Sequence, residues 1–292
     1  AAWVGEGLGR PGLVALLCMA SNIITSTDDG ADLSWNVFRY VGDCVHVTGV
    51  FVLLATLASR RSCAGFSRST QLLYLFVFIS RYLDLLQNTV FYLILFKVTY
   101  IVTAVLVLFF FVQLAHTYEK QKDTCSLTVI LLPCVVAAFL LRSDDTFIEV
   151  LWCFSQFLEG FALVPQYIFC YRDVGGSVIG VSIYIVCLGS YRSFYIASWI
   201  YRRIQNPEYL DLQSWTGGAV ETAFFLDYLL SRFAKVSLLR AAVLKLDEKI
   251  NAAKAQVEMR VLGRDSSHEL PFDAPGTALR QRARPENVPD GI

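Results

Sequence analysis

Four apolar stretches of the sequence carry ionisable and aromatic residues at helical spacing. The first places Arg39, Asp43 and His46 four and three positions apart, so their side chains share one face of a helix. The other stripes are Tyr74, Phe78, Arg81 and Asp84; Glu149, Trp152, Gln156 and Glu159; and Tyr184, Tyr191, Tyr195, Ser198 and Arg202, with Arg192 beside them. Because arginine forks bind carboxylates in two-pronged geometry, these stripes predict a cavity for an anionic ligand.

A second interpretation is that these charges only pair with one another and hold the helices together. An ionisable group inside a membrane costs about 2.5 to 3.5 kcal/mol, so each is either functional or half of a buried pair. The stripes hold four arginines and four carboxylates, which is enough for such pairing. The neighbouring aromatic residues favour a ligand cavity, because they are typical of cavity walls: Trp152, Tyr191, Tyr195 and Trp199.

The elements that position these residues are predicted to be membrane-spanning helices. Of 292 residues, 55% are hydrophobic and only 17% are charged, against about 25% charged in soluble domains. Seven stretches are long enough to cross a hydrocarbon core of about 30 Å, and backbone groups in lipid must pair within each helix. The predicted spans are 37–58, 69–86, 90–114, 125–141, 147–171, 178–201 and 212–234. Zero net charge argues against nucleic acid as a partner.

Basic residues are distributed unevenly between the predicted loops. They follow the odd-numbered spans, at Arg60, Arg61, Arg68, Lys120, Lys122 and Arg172 and in the tail. The positive-inside rule makes these sides cytosolic, with a luminal or external N-terminus and a cytosolic C-terminus. Because helix direction alternates, the charged stripes then cluster in the luminal half and predict a water-filled cavity there. Arg202 and Arg203 depart from the rule, and we expect Arg202 at the cavity mouth.

The two halves of the predicted bundle share a layout. Gly65 precedes Arg81 by sixteen positions, and Gly176 precedes Arg192 by the same interval, each in a turn before a returning helix. Three spans in each half with one connecting span predict an all-α, 3+1+3 arrangement of parallel repeats like that of PQ-loop and SWEET transporters.

Catalytic and metal-binding motifs are missing from the sequence. The eight cysteines form no C-x-x-C pair, so we interpret those in apolar stretches as packing residues and predict no metal or cofactor. No H-E-x-x-H, G-x-S-x-G or G-K-[ST] run occurs, which argues against an enzyme. Residues 1–35 hold one short apolar run similar to a signal-peptide core, and an upstream extension is the alternative, luminal if present.

The tail, 236–292, is predicted to be helical and then flexible. Apolar residues recur at spacings of four and three, at Leu239, Val243, Leu246, Ile250, Ala253 and Val257. This seam predicts that the seventh span continues as an amphipathic helix before Gly263. A solvated single helix is the alternative to a coiled coil. Beyond it, four prolines indicate a flexible end.

Several short runs resemble a known family. They are Asn36-Val-Phe-Arg39, Arg61-Ser-Cys-Ala-Gly-Phe-Ser67, Gln71-Leu-Leu73, Arg81-Tyr-Leu-Asp84, Glu149-Val-Leu-Trp152, Pro165-Gln166 and Tyr191-Arg192. In this order and spacing they resemble the KDEL receptor family, the ER lumen protein-retaining receptors, over residues 36–235. The resemblance implies a seven-helix receptor of ER and Golgi membranes. It would bind C-terminal Lys-Asp-Glu-Leu or His-Asp-Glu-Leu tetrapeptides of soluble ER proteins at low pH and return them to the ER in coatomer-coated vesicles.

The resemblance also implies roles for individual residues. Arg39, Arg81, Arg192 and Arg202 would hold the peptide's carboxylates, with Tyr82 assisting and Tyr195 and Trp199 in the same peptide site. Glu149, Asp84 and Trp152 would face the basic residue four positions from the peptide's end. His46 would act with Glu159 and Tyr191 as a proton-operated lock, and its ordinary pKa near 6.5 suits a mildly acidic compartment.

The sequence also departs from the family pattern. Trp35 stands where the family usually begins with Met, Ser198 where Asn is common, and a long tail replaces a short lysine-rich one. The retained alternative is a PQ-loop or SWEET-type transporter, which shares the repeat and Pro165-Gln166. Four arginines in one cavity favour an anionic ligand over a neutral sugar.

Overall fold

The computed structural model describes residues 36–83, 91–173 and 178–266, and these ranges are helical, without a strand. The helices are α1 (Val37–Arg60), α2 (Arg68–Arg81), α3 (Phe91–Gln113), α4 (Leu127–Leu141), α5 (Phe147–Ala162), α6 (Val164–Arg172), α7 (Ile179–Gln205), α8 (Leu212–Leu229) and α9 (Arg240–Ser266). The expectations for 1–35, Asp84, Gly176 and the tail prolines lie outside the described residues.

Four helical segments in the described ranges are long and apolar enough to cross a membrane: Val37–Arg60, Tyr92–Gln113, Phe147–Arg172 and Ile179–Gln205. α4 is a shorter apolar helix, and α2 extends over 14 residues. α8 includes the buried carboxylates of Glu221 and Asp227, which lower its hydropathy. The protein is therefore a polytopic, all-helical membrane protein.

The predicted span 147–171 consists of two helices, α5 and α6, which meet at Leu163. Pro165 follows at the start of α6, where its missing N–H removes no helical bond. The Gln166 side chain accepts from the Ser67 amide at 2.8 Å and donates to the Gly65 carbonyl at 2.9 Å. The break thus places an amide side chain where it anchors the turn before α2.

The helices pack in a regular set of pairs. α1 packs most extensively on α7, and α2 on α5. α3 contacts both α1 and α2, α8 contacts both α5 and α7, and α4 lies against α5. At the α5–α8 crossing a Cβ added at Gly160 would lie 2.9 Å from the carbonyl oxygen of Gly217. Glycines at this crossing therefore let two backbones approach closely, as is common between membrane helices.

The seventh predicted span and the tail helix are separate, which differs from the continuous helix that the tail seam predicts. After α8 a π-helical turn, Leu230–Ala234, ends at Lys235, whose φ of 58° is left-handed. The Asp227 carboxylate then accepts from the amides of Leu238 at 2.7 Å and Leu239 at 3.0 Å. These bonds turn the chain, because they satisfy amides that precede α9.

The first part of α9 is docked on the bundle. Asp247, only 4% exposed, accepts from Thr124 Oγ1 at 2.5 Å and from Arg172 Nη2 at 2.8 Å. Three seam residues, Val243, Leu246 and Ile250, line an apolar cavity of about 240 Å³ together with residues of α4, α5, α6 and α8. Part of the seam therefore faces the protein's own helices. A second unit begins at Ala252, and its described residues are helical through Ser266.

Replacing Gly217 with Ala tests the close α5–α8 crossing. The added Cβ would lie 2.6 Å from the Gln156 carbonyl oxygen, which is backbone and cannot rotate away. We expect a loss of about 1 to 3 kcal/mol of stability, measured as a lower thermal unfolding midpoint in detergent. Ala219→Val, on the exposed face of α8, is the control and should leave the midpoint nearly unchanged. Wild-type stability of Gly217→Ala would contradict this crossing.

Replacing Asp247 with Ala tests the docking of α9. The change removes two hydrogen bonds from a buried carboxylate and costs about 2 kcal/mol, so α9 should detach more often. We expect faster tryptic cleavage at Lys245 and Lys249 in the otherwise intact protein. Glu248→Ala removes an exposed charge from the same turn and serves as the control. Equal cleavage rates in both variants would refute the docking role of Asp247.

Candidate peptide-binding cavity

A cavity of about 420 Å³ opens at the end of the bundle where α1, α3, α5 and α8 begin and α2 and α7 end. Eight of the residues predicted from the sequence line it: Arg39, Arg81, Tyr82, Trp152, Arg192, Tyr195, Trp199 and Arg202. Alternating helix direction brings these positions together, because residues early in one helix and late in the next lie at the same end.

Two predicted peptide-binding residues are not among the lining residues. Asp84 lies outside the described residues. Glu149 is in the first turn of α5, where its amide donates to the Thr146 side chain at 3.3 Å. Its carboxylate accepts from the Ser143 amide at 3.5 Å, away from the cavity lining. Of the two members of this set that the structure describes, Trp152 lines the cavity and Glu149 does not.

The cavity also includes residues that the stripes did not identify. α3 contributes Tyr92, Phe96, Lys97 and Tyr100, and the segment before α8 contributes Tyr209 and Asp211. The sequence contained a signal for α3, because Lys97 is the single charged residue in an otherwise apolar stretch and aromatic residues flank it at helical spacing. Tyr209 and Asp211 lie in a loop, where periodicity gives no signal.

Aromatic rings hold two of the lining cations. The guanidinium carbon of Arg202 lies 3.9 Å from the centre of the Tyr209 ring, and Lys97 Nζ lies 5.6 Å from that of Tyr82. Contacts of this kind position a cation without neutralising its charge. Tyr195 and Trp199 stack on the same wall, with ring centres 6.3 Å apart. Among the described residues, five basic side chains and two carboxylates line the cavity, a balance that suits an anionic ligand.

Asp43 joins three helices at the side of the cavity. Its carboxylate is 7% exposed and accepts from Tyr92 Oη of α3 at 2.8 Å and from Tyr195 Oη of α7. The sequence placed Asp43 in a stripe without a binding role. In the fold it orients two aromatic walls of the cavity.

Glu159 is the centre of a buried ion cluster at the cavity floor. It is 2% exposed, and its Oε2 pairs with Arg81 Nη1 at 2.7 Å and with Arg192 Nη2. Tyr191 Oη donates to Oε1 at 2.7 Å. Arg81 also donates to Ser155 Oγ at 3.0 Å. Arg81 and Arg192 therefore line the cavity and also pair with a buried carboxylate. Both interpretations of the stripes, a ligand cavity and ion pairs that hold the helices together, thus apply to these two residues.

His46 lies next to this cluster and is 3% exposed. Its ring stacks on Tyr191, with centres 4.3 Å apart and planes 20° apart, and lies 4.6 Å from the ring of Tyr100. Its Nε2 has no hydrogen-bond partner among the described residues. The structure therefore brings together all three residues of the predicted lock, since Tyr191 touches both His46 and Glu159.

Known proteins resemble this chain over most of their length. The family model of the ER lumen protein retaining receptor matches residues 62–202. An ER lumen protein-retaining receptor of Entamoeba histolytica is 34% identical over 196 residues, which cover 66% of this chain and 91% of the relative. The receptor of Drosophila melanogaster is 34% identical over 203 residues, covering 69% and 95%, and receptor 3 of Mus musculus is 36% identical over 203 residues, covering 69% and 94%. The chain therefore belongs to the family of ER lumen protein-retaining receptors.

Proposed function

We propose that this protein binds the C-terminal tetrapeptide of soluble ER-resident proteins, of the Lys-Asp-Glu-Leu or His-Asp-Glu-Leu type, in the cavity described above. It then returns them from the Golgi to the ER. The observation that carries this proposal is a cavity lined by five basic side chains in a member of the ER lumen protein-retaining receptor family. A peptide ending in Asp-Glu-Leu brings three carboxylates, including its C-terminus. Arginine forks and a lysine suit these groups.

Within the cavity we assign the peptide's carboxylates to five cations. They are Arg39, Arg81, Lys97, Arg192 and Arg202. Arg202 lies over the Tyr209 ring and Lys97 over the Tyr82 ring, so both cations are positioned at the cavity, which supports this assignment. The peptide's basic residue lies towards Trp152, where an indole face attracts an ammonium group. Glu149, one turn before Trp152, and Asp84 stay predicted contacts of the same basic residue, and for Glu149 this requires its carboxylate to leave the Ser143 amide. Tyr82, Tyr195 and Trp199 form its walls.

The proposed architecture is a seven-helix domain over 36–235 with a 3+1+3 repeat, followed by the tail. The helix pairs support it when α1, α2 and α3 are matched with α5–α6, α7 and α8. The pair α1–α7 then corresponds to α2–α5, α1–α3 to α5–α8, and α2–α3 to α7–α8. α4 remains as the connecting helix. A two-fold relation between halves produces this set of reciprocal pairs.

The proposed orientation puts the cavity on the luminal side and the basic loops and tail in the cytosol, next to membrane lipid headgroups. Arg60, Arg61, Lys120 and Arg172 all lie at the end opposite the cavity, which supports this orientation. The coatomer coat would then meet the tail. Arg240, the first residue of α9, donates to the Tyr171 carbonyl at 2.9 Å, so its availability to a coat depends on the docking of α9.

The proposed control is protonation of His46. A proton would place a positive charge against the face of Tyr191 and near Glu159, which attract it, and near Arg81 and Arg192, which repel it. The same charge competes with Arg81 and Arg192 for Glu159. Protonation therefore raises the positive charge available at the cavity floor, which favours the bound state.

Replacing Arg39 or Arg202 with Gln tests the peptide site. Each change leaves a peptide carboxylate desolvated without its cation, which costs about 2 kcal/mol or more, or roughly thirtyfold in affinity. We expect this loss for labelled Lys-Asp-Glu-Leu peptide on the full chain in detergent. Arg60→Gln, at the opposite end of α1, is the control, and an amide-capped peptide should bind weakly to every protein. Native affinity in folded Arg39→Gln and Arg202→Gln would overturn the site.

Replacing His46 with Phe tests the proton lock while keeping an aromatic ring on Tyr191. Protonated His46 favours the bound state, so wild-type affinity should be full at about pH 5.5 and fall as pH rises through the bound-state pKa towards about pH 7.5. His46→Phe should flatten this curve. His116→Phe, in the exposed turn Ala115–Thr117, should reproduce the wild-type curve. A pH-independent wild type would defeat the lock.

A further inference from the structure

Glu221 is a buried carboxylate that none of the roles above uses. It lies in α8, is 1% exposed, and its Oε2 accepts from Arg192 Nε at 2.7 Å. Its other oxygen, Oε1, is buried and has no hydrogen-bond partner among the described residues. An acid at this depth is expensive unless it is paired, so its presence needs a reason beyond packing.

Arg192 is held between two carboxylates on different helices. Its Nη2 pairs with Glu159 of α5, and its Nε pairs with Glu221 of α8. The guanidinium is planar with donors in fixed directions, so two acceptors on two edges fix its orientation. Its central carbon lies 5.8 Å from the ring centre of Trp199, which also lines the cavity. Glu221 therefore helps to decide which way Arg192 faces.

The groups around Glu221 form one electrostatic unit. Charged and titratable side chains face it from every helix packed nearby: Arg192 and Tyr191 of α7, Glu159 of α5, Arg81 and Tyr74 of α2, and Tyr167 of α6. His46 of α1 joins the unit through its stack on Tyr191. The hydroxyls of Tyr74 and Tyr167 have no hydrogen-bond partner among the described residues, so Arg192 is the direct partner of Glu221.

The charges of this unit balance when His46 is neutral. Arg81 and Arg192 are offset by Glu159 and Glu221, so the cavity floor offers an anionic ligand no net charge. With Glu159 alone, the two arginines would leave one positive charge in excess. Glu221 therefore supplies the negative charge that makes binding depend on an added proton.

We propose that Glu221 is a positioning residue for Arg192. The Glu221 carboxylate holds the Arg192 guanidinium at the cavity floor and offsets its positive charge. An acidic peptide therefore binds weakly until the cluster gains a proton. This inference rests on the proposed peptide-binding function. It assigns Glu221 a role in setting the pH range of binding. The half-buried cations Arg39 and Arg202, nearer the cavity mouth, set the strength of binding.

Glu221→Gln tests this role because it removes the charge and keeps an oxygen that can accept from Arg192 Nε. We expect affinity for Lys-Asp-Glu-Leu peptide at neutral pH to rise about tenfold, so that the fall in affinity from acidic to neutral pH becomes shallower than in wild type. The measurement is a titration of the full chain from about pH 5.5 to about pH 7.5. Asp227→Asn changes another buried carboxylate of α8, which contacts Tyr171 and Ser237, and should leave the pH profile in place.

Three results would overturn the proposal. A Glu221→Gln profile that superimposes on wild type would show that the charge does not matter, and loss of binding at every pH in a folded protein would show a purely structural role. If Glu221→Gln does not fold, Glu221→Asp is measured instead. Its shorter side chain withdraws from Arg192 and should raise neutral-pH affinity by a smaller factor, so an unchanged profile has the same meaning. If the wild type binds no peptide at any pH, the proposed function is overturned as well. If the wild type binds and the Glu221→Gln variant has the same pH profile, this inference alone is overturned.

Discussion

The burial of Glu159 inside a membrane bundle is the constraint on which the rest of the site depends. A carboxylate at this depth is tolerated only with cations and donors around it. α5 carries the acid, while its partners Arg81 and Arg192 come from α2 and α7 and converge on one oxygen. Three helices are therefore held in a fixed register by one charge. The cavity takes its floor from this register, because the same two arginines face both the acid below and the open space above.

The cations of the cavity form two layers, one held by aromatic rings and the other by carboxylates. In the outer layer, Arg202 and Lys97 lie on aromatic faces, which position them. In the inner layer, Arg81 and Arg192 donate to carboxylates, which position them and cancel their charge. One bundle can therefore hold both a ligand cavity and an ion-pair network, because the cavity lies at the open end and the ion pairs lie below it at the floor. Under the proposed function, the outer layer attracts an acidic ligand and the charge state of the inner layer sets how strongly the ligand binds.

Sequence spacing predicted the site where one helix contributes several residues, as in the stripe of Arg39, Asp43 and His46. Helical periodicity encodes which residues share a face, and alternating direction encodes which ends meet. Spacing did not reveal Glu221, because its partner Arg192 is on another helix and pairing between helices leaves no local pattern. Spacing also did not predict the helix break at Leu163 or the turn at Lys235. The break accompanies the bond between Gln166 and Ser67, which are distant in the chain, and the turn accompanies the bond between Asp227 and the Leu238 amide.

Two sets of polar bonds at the cavity join the proposed halves of the bundle. α1 and α7 are bridged by the bond from Tyr195 to Asp43, and α2 and α5 by the bonds from Arg81 to Glu159 and Ser155. A ligand carboxylate that binds Arg81 competes with Glu159 for the same donors, so it acts directly on a contact between the halves. Because the ligand and the contact use the same donors, each weakens the other by the same coupling free energy.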